Sequence, residues 1–218
     1  ISYINHEFKT YIFTVSWGTQ TSTDDSEGKV LFSSKAYPDI SDINNKIIKY
    51  IGHIKQVPPK ISAIKINGQR AYKLSRQNIN FHIQPKDVYV KSLKIIEHQT
   101  SKTTFKIECG KGFYIRSLAR DIAIELKTYG HVSYLERSKV GKFTTKNSIL
   151  LDDLLKIGQR QLEINCIIPT ISMLDDILAY EVVNQNDLEN ISFGRSIKID
   201  ESNLTKTHSI DLGKKDIF

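Results

Sequence analysis

Hydrophobic and polar positions alternate along KTYIFTVSWG, placing Tyr11, Phe13, Val15 and Trp17 on one side and Thr10, Ile12, Thr14 and Ser16 on the other. Successive side chains of an extended chain point to opposite faces, so this period of two predicts a half-buried strand. The polar run TQTSTDDSEG is rich in turn formers and closes at Gly28, and KVLFSS resumes as a short strand. The period then changes. Ile43, Ile47, Ile48 and Ile51 recur at helical spacing behind Ser41 and Asp42, which supply an N-cap. Pro58 and Pro59 force an extended segment into ISAIKING, a strand ending at Gly68, and Ala71, Tyr72 and Leu74 mark a brief helix. DVYVKSLKIIEH and TTFKIECG, joined by polar QTSK, predict a pair of strands. From Tyr114, the positions Ile115, Leu118, Ala119, Ile122, Ala123 and Leu126 trace one face of a helix that stops at Gly130. HVSYLERSKVGKFTT reads as a basic strand, SILLDDLLKI as loop and helix, and the stretch from Asp176 as a small unit with a turn at Gly194. The pattern is mixed α+β, with strands dominating the first half.

Composition narrows the class. A chain of 218 residues, 39% hydrophobic and 25% charged, carries enough apolar material for a packed core and too much for a disordered chain. No run reaches the roughly 18 apolar residues of a membrane span. The opening ISYINHEFKT lacks a secretory signal, and the absence of Met at its start suggests numbering that begins inside a longer gene product. A formal charge of +7 suits a polyanionic partner such as nucleic acid, or else an inert basic surface. Two cysteines, Cys109 and Cys166, far apart in sequence, make neither a disulfide framework nor a zinc pattern, which fits a reducing, cytosolic setting.

Candidate chemistry concentrates in CGKGFYIRSLARD. Gly110 and Gly112 flank Lys111 where a strand gives way to a helix, a turn in which backbone N–H groups can approach an anion. Arg116 stands in the first helical turn, at the unfavourable end of the helix dipole, which makes sense if a carboxylate or phosphate lies nearby. Otherwise it is an arginine reaching into water. Tyr114 and Tyr11 are either aromatic surfaces for a nucleobase or core tyrosines, and spacing does not choose between these. A second basic stretch carries Lys60, Lys65, Arg70, Lys73 and Arg76 with Tyr72 interleaved, a mixture suited to RNA backbone contacts or to a solvated face. The acidic group Asp24, Asp25 and Glu27 lacks calcium-loop spacing and reads as a polar turn. There is no P-loop, HExxH, GxSxG or dinucleotide fingerprint, and the six histidines lack metal-ligand spacing.

In order, these segments resemble the bacterial tRNA pseudouridine-55 synthases, the pseudouridine synthase B family. One block is matched by Lys9, Tyr11, Gly18, Thr21, Thr23, Asp25 and Gly28. A second is matched by Gln56, Pro58, Pro59, Ser62, Ala63, Lys65, Gly68, Tyr72 and Arg76. A third is matched by Cys109, Lys111, Gly112, Tyr114, Ile115, Arg116, Ser117, Leu118 and Asp121, and HVSYLERSKVGKF follows with Leu135. The resemblance covers residues 7 to 156. It implies a pseudouridine-synthase fold, a mixed and largely antiparallel sheet with flanking helices, over residues 1–175. A partial PUA-like RNA-binding unit would occupy 176–218, with LENISFGRSIKI as its best match. It further implies an isomerase that is monomeric, cytoplasmic, not membrane-bound and without metal or other cofactor. Its partner would be the T-arm of tRNA, where it flips out a uridine, breaks the C1′–N1 bond and rejoins the base through C5.

By the same resemblance, the catalytic set would be Tyr11, Tyr114, Arg116 and Leu135. Tyr11 packs on the base and assists proton removal at C5, Tyr114 forms a second aromatic wall, Arg116 pairs with the catalytic carboxylate and Leu135 packs beside the base. RNA contacts would come from Lys60, Lys65, Arg70, Lys73, Arg76 and Lys111. The family's nucleophilic aspartate, in GxLDPxATGxL ahead of the tyrosine block, is not found in this chain, nor is the family's His–Gly segment. Phe113 stands in place of a threonine and Glu136 in place of a basic residue. The alternative reading is a non-catalytic tRNA-binding or RNA-folding protein of the same fold.

Overall fold

The computed structural model describes residues 8–160, 178–180, 182–199 and 204–206. The chain divides into two compact units, 1–148 and 149–218. The first is built on a six-stranded antiparallel sheet in the order β10-β9-β1-β8-β7-β4. Its strands are β1 Lys9–Trp17, β4 Gly52–Gln56, β7 Lys86–Gln99, β8 Lys102–Cys109, β9 Gly130–Val140 and β10 Phe143–Thr144. The alternation predicted for β1 is borne out: Phe13, Val15 and Trp17 are buried, and Tyr11 packs at the margin of the same core. Val90, Leu93, Phe105, Ile107 and Val132 complete the apolar sheet face, with Phe13 and Phe105 stacked at 5.1 Å. Thr14 and Thr104 meet through their hydroxyls at 2.9 Å and carry the polar alternation across β1 and β8. The two strands predicted on either side of QTSK are β7 and β8.

Two helices cover the apolar face. The first, α1 Ile40–Ile47, contributes buried Ile43 and Ile47, and α3 Ile115–Glu125 contributes Ile115, Leu118, Ala119, Ile122 and Ala123. Helix α3 packs on β1 and β9, and α1 on α3 and β7. The N-cap of α1 is Asp39 rather than Ser41 or Asp42, and Ile48–Tyr50 tightens into a 3₁₀ turn that leaves Ile48 and Ile51 exposed. Helix α3 stops before Gly130. Lys127 takes a left-handed φ of +54°, and Thr128 N–H reaches back to Ala123 O at 3.0 Å, a closure that satisfies a terminal carbonyl.

Between β1 and α1, the short strands β2 Thr19–Thr21 and β3 Val30–Ser33 pair around the 22–28 turn. ISAIKING is not one strand. Only β5 Lys65–Ile66 is extended, and Asn67 and Gly68, with φ of +48° and +83°, turn it into β6 Gln69–Arg70. Helix α2 Ala71–Arg76 follows, as its spacing predicts.

In the second unit, α4 Leu151–Arg160 and α5 Gln185–Ser192 are described, with β11 Leu178–Tyr180 paired to β12 Leu204–Lys206. The turn at Gly194 has φ +68° and closes α5. Asp176, the expected start of a separate unit, and Cys166 lie outside the described residues.

Candidate active site

The site is organised by the first turns of α3. Gly112 takes φ +81° in the turn leaving β8, and Tyr114 caps the helix in an extended conformation without a capping bond from its own side chain. Gln56 does that work. Its side chain, on a residue only 2% exposed, accepts from Tyr114 N–H at 2.8 Å and donates to Tyr114 O at 3.0 Å. The start of α3 is thereby locked to the end of β4. Ser117 adds a second tie by donating to Val57 O at 2.8 Å.

Arg116 reaches away from the helix into the loops. Its Nη1 donates to Thr23 O and to Asp25 Oδ2, both at 3.1 Å, and its Nη2 donates to Ile61 O at 3.0 Å. Charge-assisted bonds of this kind offset the unfavourable position of a cation in a first helical turn. The partner that Arg116 required is therefore Asp25, in the turn that sequence reasoning took for a polar connection. Asp25 is itself held: its carboxylate accepts from the Thr23 hydroxyl and from Glu27 N–H, and its carbonyl from Thr21 Oγ1 at 2.6 Å. Gly28 is required here because a Cβ would sit 2.5 Å from Thr23 Oγ1.

One turn along α3, Arg120 donates to Asp24 Oδ2 at 3.2 Å, Val57 O at 2.9 Å and Asp121 Oδ1 at 3.0 Å. Burial pushes both carboxyls, Asp24 and Asp121, above the usual range, with Arg120 opposing the shift.

Asp25 and Arg116 line an open cavity of about 240 Å³ with Glu27, Val132, Tyr134 and Leu135. The predicted pair Arg116 and Leu135 is thus brought together. Tyr11 and Tyr114 are not among the residues lining this cavity. Tyr11 lies on the adjoining strand, opposite Arg137 of β9 and two positions from Phe13, which pairs with Leu135. Burial raises the Tyr11 phenol above its ordinary value, Cys109 adds to the shift and Arg137 opposes it. Tyr114 is half-buried, with its backbone held by Gln56. Phe113, the replacement for threonine, packs against the core, and Glu136 accepts from the Tyr134 hydroxyl at 2.6 Å.

A second cavity, of about 310 Å³, lies against Asp24 and Arg120 and includes Lys60, Thr21, Phe81 and His82. Lys65 and Arg70 pair across the β5–β6 hairpin, where Arg70 folds back to Ala63 O, and Lys73 and Arg76 follow on α2. The Arg76 guanidinium lies 5.7 Å from the Tyr72 ring centre. Lys111 is exposed in the turn before α3. Among the described residues, no group of three or more His, Cys, Asp or Glu side chains is arranged to hold a metal, and no helix is long and apolar enough to cross a membrane.

Sequence reasoning missed Asp25, Asp24, Arg120 and the clamping role of Gln56. The available signal was Arg116 itself, whose charge at a helix start demands an acceptor.

Comparison with known proteins identifies the family. Residues 1–115 match the model of the N-terminal domain of TruB family pseudouridylate synthases. The chain is 33% identical over 213 residues to tRNA pseudouridine synthase B of Anaplasma marginale (strain St. Maries), covering 97% of this chain and 70% of that protein. It is 43% identical over 154 residues to tRNA pseudouridine synthase B of Mesorhizobium japonicum, covering 71% of this chain and 47% of that protein. The chain thus spans about half to under three quarters of the length of these relatives. In fold it is similar to a chain from the crystal structure of a Cbf5–Nop10–Gar1 complex, with a TM-score of 0.58 at 20% identity, covering 81% of this chain and 46% of that one. The family match over more than half the chain, with relatives above 30% identity, means that this chain belongs to the TruB family of pseudouridylate synthases.

Proposed function

We propose that the protein containing this chain is a tRNA pseudouridine synthase that isomerises a uridine in the T-arm, working as a cytoplasmic monomer. The observation that carries this reading is the Arg116 guanidinium, fastened to Asp25 and two loop carbonyls at the edge of an open cavity that it shares with Leu135. Three of the five N–H donors of a guanidinium are engaged in these bonds. The remainder can orient an anionic group, either a phosphate of the flipped nucleotide or a carboxylate acting on its C1′. In the reaction the C1′–N1 bond breaks, the base turns, C1′–C5 forms, the C5 proton leaves and N1 takes up a proton.

Leu135 and Val132 offer an apolar wall for the base, and extruding the base from its stack costs a few kcal/mol that such contacts offset. The Tyr11 phenol is protonated at neutral pH as any phenol is, burial raises it further, and the neutral ring suits packing against the base. Removal of the C5 proton through Tyr11 would need an acceptor for the phenolic proton. Lys60, Lys65, Arg70, Lys73, Arg76 and Lys111 would contact the RNA backbone, and residues 176–218 would add a partial RNA-binding unit.

The test is tritium release by the whole protein that contains this chain, from tRNA carrying 5-tritiated uridine, followed by mapping of the modified position. Release from the T-arm that disappears in Arg116→Leu and falls at least about tenfold in Tyr11→Ala supports the reading. Binding of tRNA without any release favours the non-catalytic alternative, and the absence of both sinks each of them. Lys65→Ala should weaken tRNA binding and lessen its salt dependence, because one phosphate contact fewer releases fewer counterions.

A further inference from the structure

Asp24 has an unusual setting. It is 8% exposed, and it adopts φ +60°, a left-handed conformation that L-residues avoid and that Asp and Asn tolerate best. Its backbone is tied on both sides: its N–H donates to Thr21 O at 3.3 Å, and its carbonyl accepts from Val132 N–H at 3.0 Å. The result is that two consecutive carboxylates diverge. Asp24 turns to Arg120 and Asp25 turns to Arg116.

Arg116 and Arg120 are four residues apart and share a face of α3. Each of them fastens the same two loops. Arg116 joins the 22–28 turn, through Thr23 and Asp25, to the proline segment at Ile61. Arg120 joins that turn, through Asp24, to the proline segment at Val57. Only Arg116 borders the cavity with Leu135, whereas Arg120 borders the other one. Burying Arg120 and Asp24 with side chains only 18% and 11% exposed is costly for stability alone, since an apolar pair could fill the same space. Their arrangement has a different consequence, which is a fixed direction for the neighbouring carboxylate.

We propose that Arg120 and Asp24 form a positioning pair: by holding Asp24 in its left-handed conformation they aim Asp25 at Arg116 and fix the guanidinium that faces the substrate. The inference rests on the functional reading given above and extends it to two residues that lie outside the cavity Arg116 shares with Leu135.

The experiment has two arms. In the first, the side-chain Nε–H resonance of Arg116 is followed by ¹⁵N–¹H spectroscopy in the 218-residue chain, assigned by its loss in Arg116→Leu. Arg120→Leu and Asp24→Ala should shift or broaden it, and Asp24→Asn, which keeps an acceptor and tolerates the left-handed backbone, should restore it. An Arg116 signal unmoved by either change overturns the proposal. If Arg120→Leu fails to fold, the comparison of Asp24→Ala with Asp24→Asn decides by the same signal.

In the second arm, turnover per folded molecule of the whole protein that contains this chain is measured by tritium release. Positioning predicts a kcat lowered by about tenfold or more in Arg120→Leu, because small misplacements of a reacting constellation are expensive. The KM for tRNA should stay within about threefold, and Asp24→Asn should retain most of the rate. A purely structural role would lower the melting temperature and leave kcat per folded molecule unchanged, which also overturns the proposal. No turnover by the unaltered protein counts against the functional reading, while the Arg116 resonance still decides the positioning.

Discussion

Replacing Gln56 with Met keeps the length of the side chain and removes its hydrogen bonding, which isolates the clamp at the start of α3. In the folded chain this amide makes both of its bonds to one residue, with Tyr114 N–H at 2.8 Å and Tyr114 O at 3.0 Å, on a residue 2% exposed. A buried bond contributes about 1 kcal/mol net, and leaving its partner unpaired costs about 1–3 kcal/mol where water cannot enter. Tyr114 is half-buried, so water can recover part of that, and Gln56→Met should cost about 2–3 kcal/mol. For a chain of this size the melting temperature would fall by roughly 4–12 °C. Urea unfolding followed by fluorescence is well suited, because Trp17 is the single tryptophan and sits in β1 at 4% exposure. The midpoint should drop with the slope unchanged. Gln56→Glu sharpens the test. At neutral pH it buries a carboxylate facing Tyr114 O and has no donor to offer. Once protonated, it regains an O–H donor beside an acceptor and imitates the amide. Its folded pKa is therefore raised, and its deficit relative to the unaltered chain should shrink as pH falls through that value. A loss under about 1 kcal/mol in the Met variant, with a Glu variant indifferent to pH, would refute the clamp.

The remaining outcomes concern the same region. Gly28→Ala should loosen the bond from Thr23 to Asp25, since its Cβ would press to 2.5 Å from Thr23 Oγ1, and tritium release should fall with it; unchanged release would separate that turn from the chemistry. The Cys109 thiol is fully buried and is pushed up to about 12 by that burial, so in a Cys166→Ser background it should resist disulfide-exchange reagents at pH 8 until the chain unfolds. Labelling within minutes of the native chain would contradict this. Burial raises the folded pKa of Asp24 and Asp121, so between the ordinary carboxylate value and the raised ones the folded state binds more protons than the unfolded, and stability falls as pH rises. The double variant Asp24→Asn, Asp121→Asn should gain on the unaltered chain across that window in urea titrations, and a relative loss with rising pH would reverse the sign.

Local periodicity carried the parts of this fold that are repeated along the chain, and β1 shows why. Phe13, Val15 and Trp17 answer to one physical demand, burial on one sheet face, and therefore leave a regular trace. The misread places are those where one residue type serves two demands. Gly130 looks like a helix stop, but Lys127 ends the helix, and Gly130 instead sits tightly against the core, where a Cβ would lie 3.1 Å from Trp17 and Val15. Asn67 and Gly68 carry a recognisable hairpin signal, overlooked because the apolar residues before them suggested a longer strand. The site is harder still. Arg116 could be singled out from the dipole argument alone, yet its partner Asp25 stands 91 positions away in a turn whose composition is that of any polar connection. Bonds from side chains to loop carbonyls, such as those from Arg116 to Ile61 and from Arg120 to Val57, impose no pattern on the residue that accepts them, since every residue has a carbonyl. A network that draws its acceptors from the backbone is therefore legible only at its donors, and of the two arginines of α3, one helical turn apart, only Arg116 stands where the dipole argument singles it out, so Arg120 left no signal of its own.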